Sequence, residues 1–385
     1  MSSRFALLPG RIRRSVLVVV LAWLVAALVA PVAGAAPPTA AKLRREVNRV
    51  VAAGVPGVIL LVRDGRRTVR VAGGSARLKP RRAMRVSDRF RIGSLTKTYV
   101  ATVVLQLAGE GRLSLDDSVE RWLPGMVPNG QNITVRELLN HHSGLFDFFN
   151  DPQHLAPYLA GDFAHVYTPQ QLVAIAVAHP PLFPPGARPP LFPANPNEAY
   201  SNTNYVLLGL IIERIAGRSI GAELSRRIFR PLKLRHTFFA TRRRIPGPHA
   251  HGYFFPNPRT RQDTTSVSPT HTWAAGAIVS TAGEVARFYR TLLFGRLLRP
   301  NLLRAMTTFT DTFGLGILLG PTPCGTQWLH TGEIAGYNSI ASNTKNGRRQ
   351  LVVLATAQAP GNQVGNPKAQ RAFDRLLTTA ACARR

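Results

Sequence analysis

Strand-like runs stand at both ends of this chain and helical segments fill the middle, which limits the folds open to it. Residues 58–62 are Val-Ile-Leu-Leu-Val, followed by the turn pair Asp64-Gly65 and a second β-prone run at 68–72. Near the other end, 313–318, 337–341 and 351–355 are again β-prone, and Asn346-Gly347 separates the last two. An Asx-Gly pair between such runs marks a hairpin. Between these groups the apolar period changes to that of a helix. Val206, Leu207, Leu210, Ile211 and Ile215 share a face over 201–216, and 281–294 forms another helix behind a Ser280/Thr281 cap. Residues 40–53 read as an amphipathic helix ended by Gly54 and Pro56, 113–122 and 134–140 as helical segments, and 368–380 as a closing helix. The pattern predicts an α+β fold: one antiparallel sheet built from both termini and flanked by helices, a mostly helical region beside it, and the active site between them. No internal repeat is present, and the proline-rich stretch 180–196 reads as a loop.

The first 35 residues read as a signal peptide rather than part of the fold. Arg4, Arg11, Arg13 and Arg14 precede an almost wholly apolar run over 16–32, and Ala33-Gly34-Ala35 forms a small-residue cleavage site. An uncleaved membrane anchor is the alternative, since 15–36 is nearly long enough to span a bilayer. No cysteine lies near the site, so a lipoprotein anchor is excluded. Arg13-Arg14 leaves export by the twin-arginine route open beside the ordinary secretory route. Residues 36–385 remain, enough for one large domain or two small ones. The protein is expected to be secreted or extracytoplasmic.

The formal net charge is +30, with 49 Lys and Arg against 19 Asp and Glu. Such a balance first suggests nucleic acid, but a secretory leader removes the chain from it. The arginines are spread along the sequence apart from short runs such as Arg242-Arg243-Arg244, as on a solvated surface. Electrostatic association with an anionic cell envelope is the partner this charge suggests. In an exported chain the two cysteines, Cys324 and Cys382, suggest one disulfide, with two buried thiols as the alternative. Nothing points to a metal or another cofactor: His141 and His142 are adjacent, not spaced as ligands, and no Cys/His cluster exists.

Three short motifs carry the chemistry. Ser94-Leu95-Thr96-Lys97 stands at the head of an apolar run, so serine and lysine share a helix face one turn apart, a preassembled nucleophile and base. Ser342-Asn343-Thr344-Lys345 has the same form but falls at the hairpin turn, where the two side chains have no common face. Tyr200-Ser201-Asn202 stands at the start of the helix over 201–216: the tyrosine can move a proton, and the asparagine can bond a substrate amide and the lysine. The alternative is an ordinary capping turn. His330-Thr331-Gly332 precedes the β-prone run 337–341. There a small residue on a strand edge lets a substrate backbone lie alongside, the threonine can bind an anionic end, and the histidine can supply a proton or positive charge. His142-Ser143-Gly144 has the same form, but neither its order nor its context fits.

Taken in order, Ser94-x-x-Lys97, Tyr200-x-Asn202 and His330-Thr331-Gly332 resemble the three motifs of the penicillin-recognising serine hydrolases. The chain is most similar to the branch holding class C β-lactamases and low-molecular-mass D-alanyl-D-alanine carboxypeptidases. His142-Ser143-Gly144-Leu145 and Ala275-Gly276 running into Ser280-Thr281 agree with it. The resemblance spans about 40–385, so residues 36–385 read as one serine hydrolase domain. It implies a serine hydrolase in which Ser94 forms an acyl-enzyme and Lys97 and Tyr200 handle its proton, with the choice of base open. It also implies an oxyanion hole from the N–H groups of Ser94 and Glu333, and His330 and Thr331 on the leaving side. Trp273 either walls the pocket or belongs to the core. Secreted carboxypeptidases of this branch carry a histidine at the third motif, and cysteines placed like Cys324 and Cys382. β-Lactams are the implied acylating ligands.

Two departures bear on the substrate. Related carboxypeptidases place an arginine just after a Gly-Leu-Gly strand, where this chain has Gly314-Leu315-Gly316 followed by Ile317 and Leu318. Glu333 also follows the third motif, and an acid beside a carboxylate substrate is repulsive. Arg348 or Arg349 is the available substitute. The sequence therefore predicts a carboxypeptidase acting on peptidoglycan peptides. The alternatives are a β-lactamase-like hydrolase or esterase of the same fold, and a non-catalytic envelope-binding protein.

Overall fold

The computed structural model describes residues 39–381, apart from 188–198, 258, 310, 323 and 324. The leader, part of the proline-rich loop, and Cys324 and Cys382 with their expected bridge lie outside the described residues. The strands are β1 Gly57–Asp64, β2 Arg67–Arg77, β3 Arg82–Ala83, β4 Phe90–Arg91, β5 Phe238–Phe239, β6 Tyr253–Asn257, β7 Thr260–Asp263, β8 Ile278–Ser280, β9 Leu318–Thr322, β10 Gly325–Ile334, β11 Tyr337–Asn343 and β12 Arg349–Ala355. The helices are α1 Ala40–Ala52, α2 Thr96–Gly109, α3 Val119–Trp122, α4 Val135–Leu139, α5 Pro152–Leu159, α6 Pro169–Val177, α7 Asn202–Ala216, α8 Ile220–Leu224, α9 Ala282–Leu293, α10 Pro300–Met306 and α11 Pro367–Ala381.

One sheet runs in the order β3-β2-β1-β12-β11-β10-β9, so the N-terminal hairpin pairs with the C-terminal meander through β1 and β12. Both termini build the sheet, as expected. β1 shows why it is central. Ile59 and Leu61 enter the large core shared with the helical region, while Val58, Leu60 and Val62 enter a second core under α1 and α11. Alternate side chains point to opposite faces, and helices cover both. No described helix is long and apolar enough to cross a membrane.

The helical region centres on α2 and α7. Every residue of α2 from Thr96 to Leu105 is buried, and a helix buried all round occupies a core rather than a surface. It is fastened to α9 by Tyr99, which stacks on Phe288 with ring centroids 3.6 Å apart. Thr134 caps α4 in a capping box with Glu137, so Glu137 is structural there.

Two elements differ from expectation. The strand expected over 313–318 is absent before Leu318, the first residue of β9. Gly314 and Gly316 bend the chain, Gly314 N–H bonds to the Ile317 carbonyl at 2.8 Å, Phe313 meets Leu318 in an isolated bridge, and pairing with β10 begins at Leu318. Gly316 has φ +77° and presses on Ala101 of α2, a position that only glycine fills easily. The helix expected over 113–122 shrinks to α3, because the Asp117 carboxylate accepts from Ser114 N–H at 2.8 Å and holds a loop ahead of the Ser118 cap.

Candidate active site

Ser94 lies in a 3₁₀ turn, Gly93–Leu95, which leads directly into α2. This turn is pressed against β10. Gly93 has φ +50° and contacts the Glu333 backbone, and Gly332 contacts the Ile92 carbonyl. A side chain at either glycine would separate the two segments. β9 pairs with β10 only as far as Leu329, so residues 330–334 have no strand on their outer side among the described residues. The backbone N–H groups of Ser94 and Glu333 therefore belong to two segments in contact beside an open sheet edge, the arrangement an oxyanion hole and an extended substrate require.

Lys97 stands one turn after Ser94 and is fully buried. Its Nζ is 3.0 Å from Ser94 Oγ, 2.7 Å from Asn202 Oδ1 and 2.9 Å from the Ala275 carbonyl. Those three acceptors use the three ammonium hydrogens. Burial pushes the amine down to about 7, against the opposing pull of Asp147 and Glu333. Asn202 passes the interaction on: its Nδ2 donates to Asp147 Oδ2 at 2.9 Å. Burial raises the Asp147 carboxyl to about 6.

Tyr200 closes the other side. Lys97 Nζ lies 4.9 Å from its ring centroid, and His141 stacks on it at 4.4 Å. His141 Nδ1 accepts from Ser201 N–H at 3.1 Å, which fixes the turn that presents Tyr200. Burial raises the Tyr200 phenol well above its ordinary value, despite the opposing hydrogen bond with Ser94. The phenol is therefore neutral in the free protein.

The open edge carries the third motif. His330 is buried, its Nδ1 is 2.6 Å from the Thr331 carbonyl, and burial with the nearby Lys97 charge pushes it down to about 3. It is a neutral imidazole at physiological pH, which corrects the expectation that it supplies positive charge. Burial raises the half-buried Glu333 to about 7, against the opposing pull of the neighbouring Thr331 hydroxyl and the Lys97 charge. The hydroxyl expected to hold an anionic end is thus engaged with an acid.

Ser94, Lys97, Tyr200, Asn202, His330, Thr331, Gly332 and Glu333 all converge. Other residues named from the sequence lie elsewhere. The half-buried Trp273 ring lies against Gly209 of α7 and edge-on to Phe239, at 6.4 Å between centroids, so it packs with the helical region. Arg348 and Arg349 sit at the β11–β12 turn beside Asp64, two strands from Thr331 and four residues farther along β12 than its register partner Val353. They do not replace the missing arginine. Leu318 packs with Phe313, Leu329 and Tyr200 in one apolar cluster. In the second Ser-x-x-Lys, Ser342 bonds to Gln327 Oε1 at 2.6 Å while Lys345 is exposed. Asp147, His141 and the Ala275 carbonyl were not foreseen. The family phrases His142-Ser143-Gly144-Leu145 and Ala275-Gly276 lie beside or at two of them.

Comparison with known proteins agrees with this geometry. A D-stereospecific amidohydrolase from Streptomyces sp. superposes with a TM-score of 0.77 at 36% identity, covering 90% of this chain and 100% of that one. A putative penicillin-binding protein of Bacillus subtilis is 28% identical over 320 residues, 81% of this chain and 74% of its own length. A putative D-alanyl-D-alanine carboxypeptidase of Escherichia coli is 28% identical over 320 residues, 71% of this chain and 70% of its own. The profile of the beta-lactamase family matches residues 43–375. With that match over most of its length, on an antiparallel sheet flanked by helices, the chain belongs to the beta-lactamase family and has its serine hydrolase fold.

Proposed function

We propose that the protein is a serine acyl hydrolase that opens amide bonds at the carbonyl of a D-configured residue bearing a free amine and an apolar side chain. Ser94 is the nucleophile. Lys97, whose amine is pushed down to about 7, holds a useful fraction of neutral base at physiological pH and takes the Ser94 proton across 3.0 Å. Tyr200, held as a neutral phenol, gives its proton to the leaving amine and regains one from protonated Lys97, so the net transfer is from Ser94 to the amine, and water then hydrolyses the acyl-enzyme. The N–H groups of Ser94 and Glu333 stabilise the oxyanion.

The observation that carries the substrate reading is Glu333. An acid stands at the open edge, no arginine follows the Gly-Leu-Gly bend, and His330 is neutral. With its carboxyl raised to about 7, Glu333 repels a free carboxylate and attracts an ammonium group in its ionised form, and a bound ammonium favours that form. The Phe313–Leu318–Tyr200 cluster offers an apolar wall. The similarity to the Streptomyces amidohydrolase supports D-stereospecificity. The second reading is the D-alanyl-D-alanine carboxypeptidase, which the Escherichia coli relative favours.

A substrate panel separates the two. D-Phenylalanine amide should be hydrolysed faster than its L-enantiomer. N-Acetylation should lower kcat/KM roughly tenfold or more, the scale of a lost charge-assisted contact, and Glu333→Gln should remove that preference. Faster turnover of an N-acylated D-Ala-D-Ala peptide would instead establish the carboxypeptidase.

A further inference from the structure

A cavity of about 330 Å³ lies away from Ser94, between the β1–β2 hairpin and α9. Four arginines wall it. Arg63 of β1 and Arg70 of β2 stand on one face of the hairpin, because Arg63 pairs with Thr68 and Arg70 with Leu61, two positions along. Arg287 and Arg290 come from α9. The Arg290 guanidinium donates to the Gly65 carbonyl at 3.1 Å and Arg63 Nε to Thr68 Oγ1 at 3.2 Å, so two of the four are held in place by the fold. The N-terminal turn of α9 forms another part of the wall, and a Cβ added at Gly283 would meet nothing within 4 Å.

The charges in this cleft are not balanced within it. Glu284 is the one carboxylate in the lining, and its oxygens accept from His236 N–H at 3.1 Å and Thr237 Oγ1 at 2.6 Å. Arginine keeps its proton in proteins, so the four guanidinium groups repel one another. Arg63 registers this: after burial, Arg290, Arg70 and Arg287 each pull its pKa down. A multivalent anion would relieve the repulsion. Guanidinium groups match phosphate oxygens in bidentate fashion, and the α9 N-terminus adds backbone donors and a favourable dipole.

We propose that this cleft is a binding site, separate from the Ser94 centre, for phosphate-bearing anions carrying at least two negative charges. Free pyrophosphate and the phosphodiester units of a polymer share that chemistry. Titration calorimetry in about 150 mM salt, with pyrophosphate and with a short poly(glycerol phosphate) as separate probes, tests it and distinguishes the sources. Saturable binding of either probe is expected, one pyrophosphate per chain, with acetate at equal ionic strength inert. Arg70→Gln, on an exposed side chain, should weaken binding severalfold. Arg70→Gln with Arg290→Gln should weaken it roughly tenfold or more, while Arg242→Gln with Arg244→Gln, which removes equal charge elsewhere, should leave it unchanged. Absence of binding by both probes overturns the proposal. So does equal weakening by the Arg242/Arg244 pair, which would assign the binding to overall charge. Thermal melting of each variant separates loss of the site from loss of the fold.

Discussion

Gly93 and Glu333 touch through their backbones: a Cβ added to Gly93 would lie 2.8 Å from the Glu333 carbonyl oxygen and 2.9 Å from its nitrogen. The nucleophile turn and the sheet edge are thereby held as one unit. Gly93→Ala would place a side chain at φ +50° and force the segments apart. Acylation should slow by roughly a hundredfold, the scale of a misplaced oxyanion donor. Stability should fall by about 1–3 kcal/mol from backbone strain. Stopped-flow acylation and thermal unfolding measure these separately, and a normal acylation rate would show that the contact does not align the site.

Covalent labelling identifies the nucleophile. A β-lactam or an activated ester should add its acyl mass to the native protein and not to Ser94→Ala. In Lys97→Ala the label should appear roughly 10²–10⁴-fold more slowly, the range for loss of a positioned base. Labelling of Ser94→Ala at the native rate would place the nucleophile elsewhere.

The acylation rate should depend on pH through Lys97. The amine must be neutral to accept the Ser94 proton, so the rate rises with pH through about 7. Asp147 raises the Lys97 pKa through its charge. Asp147→Asn removes that charge while keeping a carbonyl for the Asn202 amide, and the rising limb should move to lower pH by roughly one unit. A nitrophenyl ester without an amine removes substrate contact with Glu333, and the same comparison in Glu333→Gln removes the pull of Glu333 on Lys97. A limb unmoved in this variant would mean that another group controls it.

Acid should destabilise the fold partly through His154. It is buried among aromatic rings, stacked on His271 at 4.9 Å, and burial lowers its pKa to about 4. The unfolded chain takes up this proton near 6.5 and the folded chain does not until about 4. Stability linked to His154 is therefore complete above 6.5 and is lost as pH falls through that window. His154→Phe removes the loss. Its stability relative to the native protein should rise between pH 7 and pH 4, by at most about 3 kcal/mol, as followed by melting temperature. A constant difference across that range would contradict the assignment.

Much of the frame was legible in the chain. A continuous apolar run marks β1, a strand buried on both sides, helical spacing marks α7, and Thr281 caps α9 as its position suggested. These signals are local, so sequence carries them. The expected strand over 313–318 gives way to a bend at Gly314 and Gly316, and what the sequence does not show is that α2 packs against that bend at Ala101.

The sequence by itself determined the order of the three motifs and the spacing that sets Lys97 one turn from Ser94, because periodicity is a property of neighbours along the chain. Tertiary structure decided the electrostatics. Burial brought Lys97 down to about 7 and His330 to about 3, and raised Glu333 to about 7. Folding also joined Asp147 to Asn202 across 55 positions and left Arg348 and Arg349 away from the site. A group's charge depends on the water it loses and the partners it meets, and both are settled only when distant segments pack.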